Sequence, residues 1–136
     1  MFLNQNIIWQ IVFSVLCFFI VASCHEFTRA AISTALGDNT PRNEKNLTWN
    51  PLKHTEPVGA ILFIITSLFG YGAFGWSRTV HTSSLYYKNR KRDTLLVAIL
   101  PSVANILLAF IALIVWKILP YNNSMISTFL NLLVVY

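Results

Sequence analysis

Charge is what this sequence has least of. Asp, Glu, Lys and Arg make up 11% of its 136 residues, against 55% hydrophobic ones. A soluble domain carries about 25% charged residues to cover its surface. Ten Lys and Arg with five Asp and Glu leave too little to clothe a water-facing globule of this size. Disorder is excluded by the same scarcity, because it needs low hydrophobicity and high net charge. Cysteine is scarce as well. Cys17 and Cys24 share one apolar run, so a disulfide scaffold is excluded. Lys and Arg are missing altogether from the residues before that run, and a secretory signal wants a positive n-region there. Val21-Ala22-Ser23-Cys24 has the form of a bacterial lipidation site but lacks the same n-region, so an ordinary helical cysteine is the better reading.

What is there is apolar and long. Ile7–Cys24 contains no charge and as a helix measures roughly 27 Å, close to the hydrocarbon core of a bilayer. Further runs cover Val58–Trp76 and Thr94–Trp116, the latter interrupted by Pro101. After a polar break at Asn122–Ser124, Met125–Tyr136 starts another apolar stretch, too short at about 18 Å to span. The composition predicts a single all-α integral membrane domain over 1–136. It has two or three transmembrane helices (about 7–24, 58–76 and 94–116) and a partial last helix (125–136). Trp9, Trp49, Trp76 and Trp116 fall near span ends, as an interfacial aromatic belt requires.

The basic residues cluster in two loops. Gly37–Pro57 holds Arg42, Lys45 and Lys53; Ser77–Asp93 holds Arg78, Lys88, Arg90, Lys91 and Arg92. The positive-inside rule puts both in the cytoplasm. A spanning 58–76 helix would separate them. Either that rule is violated, or the segment, with Gly59, Gly70, Gly72 and Gly75, dips in and returns on the same side; re-entrance is the preferred reading. Nucleic-acid binding by Asn89–Asp93 is not expected at the edge of a span, where anionic lipid is the better partner. The formal glycosylation sequons at Asn46 and Asn122 read as chance.

Chemistry concentrates after the first run, in Cys24-His25-Glu26-Phe27-Thr28-Arg29-Ala30. Ionisable groups in an apolar helix are costly and are functional candidates. His25 and Arg29, at i and i+4, share a helix face. A histidine in place of Arg29 would complete HExxH, in which two imidazoles hold zinc and the Glu is the general base. A guanidinium offers no lone pair and keeps its charge, so it cannot replace an imidazole. Locally, Glu26 and Arg29 read as an i,i+3 ion pair at the membrane boundary. Asn105, four residues after Pro101 inside the third span, would bond a neighbouring helix or the carbonyls freed by the proline.

Further blocks follow in order: Gly37-Asp38, Asn50-Pro51-Leu52-Lys53-His54-Thr55-Glu56-Pro57-Val58-Gly59, Gly75-Trp76-Ser77-Arg78, the basic run, and Pro101 to Asn105. Their order and spacing resemble the compact bacterial branch of the site-2 proteases, the intramembrane zinc metalloproteases. The resemblance implies an all-helical membrane fold and cleavage of transmembrane helices. It also implies His25 as a zinc ligand, Glu26 as general base, and Asn105, Asn50, Pro51 and His54 around the substrate cavity. The departures are equally specific. Arg29 stands for the second His ligand, Glu56 for an Asp, Thr79 and His81 for two prolines, and Leu100 for a Gly. The helix bearing the family's Asp ligand is not in the sequence. The expectation is therefore an inactive relative with zinc weakly held or absent, in a bacterial plasma membrane with loops 37–57 and 77–93 cytoplasmic. Its partners are the lipid bilayer and a transmembrane-helix substrate or partner protein. A non-catalytic interaction module and a decayed fragment are the alternatives. A site rebuilt from His25, His54, Glu56 and His81 would need all four to converge and Arg29 to turn away.

Overall fold

The computed structural model describes residues 5–68, 74–118 and 124–135, and these are helical with no named strand. Helix α1 (Gln5–Ala35) is the organising element. It does not stop near Cys24, where the first apolar run ends, but continues for three more turns. Nothing between Cys24 and Ala35 breaks a helix: no Gly or Pro occurs, and Ala30, Ala31 and Ala35 favour it. The ionisable cluster expected at a helix end therefore lies within one. The helix stops at Gly37, which takes φ +107°. Gly37 N–H donates to the Thr34 carbonyl (3.1 Å) and Asp38 N–H to the Ser33 carbonyl (3.1 Å), closing a Schellman cap.

Two single-turn helices follow, α2 (Thr40–Asn43) and α3 (Pro51–His54). Helix α4 (Pro57–Leu68) then packs antiparallel on α1, with Phe63 against Phe18 (4.7 Å between ring centroids) and Ser67 Oγ donating to Ser14 Oγ (3.3 Å). Its described part measures about 18 Å. Residues 74–78 run back along it. Phe74 N–H donates to Thr66 Oγ1 (2.8 Å), Ser77 bridges antiparallel to Thr55, and Arg78 N–H donates to the His54 carbonyl (2.7 Å). By Ser77 the chain is back beside Thr55, at the start of α4. Gly70 and Gly72, invoked for the bend, lie outside the described residues. Gly59 and Gly75 serve a different need. A Cβ on Gly59 would collide with the Trp76 carbonyl, and one on Gly75 with the Gly59 carbonyl and Phe63, so both permit close backbone approach.

A 3₁₀ turn (Ser84–Tyr86) leads into α5 (Arg90–Ile118), antiparallel to α1 and continuous through buried Pro101. The basic run opens this helix. Asp93 in the first turn offsets the run and accepts the Asn89 N–H (3.0 Å). Helix α6 (Ser124–Val135) packs back against α1 and α5. Cys17, Ala112, Leu130 and Leu133 form the core between these three helices. Asn122 and Asn123 of the expected polar break, and Tyr136, lie outside the described residues.

Ile8–Ala35 and Arg90–Ile118 are long and apolar enough to cross a membrane. Their outer faces argue against a water-soluble bundle. Leu16, Ile99, Ile106 and Phe110 stay 46–67% exposed, leaving a continuous apolar surface that suits lipid. Both basic loops lie at one end of this bundle, joined through Asp38, Ser83, Ser33 and Tyr87.

Candidate functional site

One turn of α1 presents His25, Glu26 and Arg29 to a cavity of about 560 Å³. Its walls are Phe18, Val21 and Ala22 of the same helix, Phe63 of α4, Gly75–Ser77 of the returning segment, Asn105 of α5 and Val135 of α6. The segment closes so tightly over the helix because the two glycines let it. Glu56 accepts the Trp76 indole N–H (2.6 Å) and pins the far side of the same turn.

Glu26 is 1% exposed, yet its carboxylate is well provided for. Oε2 accepts the Val80 N–H (2.8 Å), and Oε1 lies 3.1 Å from His25 Nδ1 and 3.5 Å from Ser77 Oγ, which donates. Arg29 Nε stands 3.9 Å from Oε2, an ion pair rather than a hydrogen bond, and that nitrogen is buried with no hydrogen-bond partner. Asn105 Oδ1 is likewise buried without a partner, an unsatisfied acceptor on a residue of the cavity wall. The carbonyl-bonding role considered for this amide is not made by its oxygen, which can only accept.

Of the other residues singled out in the sequence, Asn105, Thr79 and the block Gly75-Trp76-Ser77 line this cavity, whereas Asn50, Pro51, His54, Glu56 and His81 do not. Asn50 caps α3, its Oδ1 accepting the Leu52 N–H (3.1 Å), and Pro51 occupies the first position of that helix, where its missing N–H costs nothing. His54 is buried with Nε2 2.9 Å from the Thr48 carbonyl, and it lines a separate cavity with His81. His81 is 78% exposed and pairs with Glu44 at 3.5 Å. The four donors from which a site could be rebuilt thus do not converge: His25 faces the first cavity, His54 and His81 line the second, and Glu56 holds the Trp76 indole. No group of three or more His, Cys, Asp or Glu side chains comes together among the described residues.

These residues do not fit a catalytic zinc. Such a centre takes three protein ligands and an open position. Here one ring nitrogen of His25 faces Glu26, and the residue one turn on carries a fixed positive charge toward the same spot. Sequence reasoning missed the donors that hold Glu26, Val80 N–H and Ser77 Oγ. A backbone donor has no residue signature, and only the departure from the family's proline-rich block at 79–81 marked that segment.

No family model matches this chain, and no solved structure matches it. A protein of Bacillus subtilis (strain 168) named "Putative zinc metalloprotease YwhC" is 31% identical to it over 106 residues, which is 77% of this chain. Those residues make up 46% of the relative, so the chain spans about half the length of the protein it matches. The homology and the two membrane-capable helices together describe a membrane protein related to a zinc metalloprotease.

Proposed function

We propose that this chain is a site-2-protease-like membrane protein that binds a transmembrane segment in the α1 cavity without cleaving it. The observation that carries the proposal is the Glu26–Arg29 pair. In a working protease of this kind the Glu takes a proton from a metal-activated water. Here the equivalent carboxylate is engaged by a guanidinium, a histidine and a backbone N–H, and the position of the second imidazole is cationic. The bound partner would be an apolar helix with a locally opened backbone. Phe18, Val21 and Ala22 of α1 and Phe63 of α4 give the cavity an apolar stretch beside the charged turn, and Asn105 Oδ1 offers an unpaired acceptor for a backbone N–H. The bundle sits in a bacterial plasma membrane with loops 37–57 and 77–93 on the cytoplasmic side, as the positive-inside rule directs.

The test compares the unmodified chain with Arg29→His in membranes, scoring zinc content and cleavage of a transmembrane reporter. The unmodified chain is expected to retain no stoichiometric zinc and to cut nothing. Arg29→His restores two imidazoles at i and i+4 and is expected to raise zinc retention. Zinc-dependent cleavage by the unmodified chain overturns the proposal.

A further inference from the structure

A second cavity, of about 410 Å³, lies at the loop end of the bundle and shares Thr79 with the first. The Thr55–Ser77 bridge and the Arg78 N–H bond to the His54 carbonyl set its two walls side by side. Each wall brings a permanent cation, Lys53 from the last turn of α3 and Arg78 from the returning segment. Lys53 Nζ donates to the Lys45 carbonyl (2.9 Å), a neutral acceptor that positions the ammonium without neutralising it. Arg78 is exposed and pairs with no carboxylate among the described residues. Glu44 is the acid on the rim, and it is occupied: His81 lies 3.5 Å away and Asn46 Nδ2 donates to it at 2.9 Å. Thr79 adds a hydroxyl to the lining.

The surroundings are amphipathic. Leu52, on the cavity wall, is 75% exposed, and Trp49 nearby is 59% exposed while stacking on Phe27 of α1 (4.4 Å). An exposed Leu and Trp beside two uncompensated cations suit neither a soluble surface nor the hydrocarbon core. They suit the interface, where apolar side chains enter the acyl boundary and Lys and Arg meet phosphate.

We propose that this cavity binds phosphate at the membrane surface, with Lys53 and Arg78 as its charged contacts and the headgroup of an anionic phospholipid as its ligand. The proposal rests on the membrane reading of α1 and α5, not on the fate of the zinc site, so it and the cleavage assay fail separately. Arg forks onto two phosphate oxygens while Lys supplies a point charge. Leu52 covers the glycerol side of the headgroup.

The full chain in mild detergent is titrated with phosphatidylglycerol and with phosphatidylcholine of the same acyl chains, and adducts are counted by native mass spectrometry. Preference for the anionic lipid is expected, falling about five-fold for each cation removed in Lys53→Gln/Arg78→Gln. The matched pair Lys88→Gln/Lys91→Gln, outside the cavity, is expected to keep the preference. Equal loss in both pairs, or no preference in the unmodified chain, overturns the site. Inorganic phosphate is the third probe: displacement of bound lipid supports phosphate recognition. Phosphate binding through the same two side chains while lipid fails to bind overturns the assignment to a lipid.

Discussion

Asp38 is fully buried and accepts three hydrogen bonds, from Ser33 Oγ (2.8 Å), Thr40 N–H (2.9 Å) and Ser83 N–H (2.6 Å). Burial alone would raise its pKa. The hydrogen bonds to Thr40, Ser83 and Ser33 outweigh burial and hold the carboxyl below its ordinary 3.8. A depressed folded value means stability that is whole above 3.8 and lost as the pH falls through the lower, folded value. Asp38→Asn is expected to cost about 1.5–3 kcal/mol and to flatten the acid side of the stability profile. Thermal unfolding in detergent from neutral pH to about pH 3 measures both. In the sequence Asp38 was visible only as half of a family turn. His25 and Glu26 were legible because their types and adjacency carry chemistry. Asn50 and His54 matched a motif equally well yet serve a local cap and a loop carbonyl, since a motif match does not say which way a side chain turns.

Between α4 and the segment 74–78 the decisive quantity is backbone separation. The Trp76 carbonyl occupies the space a Cβ on residue 59 would need. Helix α4 cannot yield without losing its contact with Phe18. Gly59→Ala is expected to destabilise by roughly 1–3 kcal/mol, despite the better helix propensity of Ala, because overpacking against backbone has no side-chain escape. The expected result is a lower unfolding temperature for Gly59→Ala and an unchanged one for Ala60→Ser on the half-buried neighbouring position. Hydropathy located this element but left two forms open, a span and a re-entrant turn. One apolar run, Val58–Trp76, becomes a helix and a return, because a hydropathy run does not distinguish nineteen residues laid straight from the same residues folded back. The end of α1 was misjudged: charge ended the apolar run at Cys24, but charge does not end a helix.

At the scale of the molecule, the return segment decides which loops share a side. With 74–78 brought back to Thr55, loops 37–57 and 77–93 meet at one end of the bundle, an arrangement in which one membrane face would suit both sets of Lys and Arg. Single cysteines placed at Lys45 and Lys88, with Cys17 and Cys24 removed, are expected to react with a membrane-impermeant thiol reagent from the same face of sealed vesicles. Labelling from opposite faces would mean a full span. The all-helical class and the two long helices were legible because a low charge count and long apolar runs permit little else. The assembly of the cavity was not, because its members come from four helices and a loop.

The hydrogen bond from Val80 to Glu26 also has a meaning in time. Val80 follows Glu26 by 54 residues, so at ordinary synthesis rates of about 5–20 residues per second the donor reaches the carboxylate roughly 3–10 seconds late. During that interval α1 must be accommodated with a carboxylate whose only companions are its own neighbours. A bare acid in an inserting helix is costly, the more so the deeper it sits. His25 and Arg29, already made or following within one turn, are the groups available to screen it.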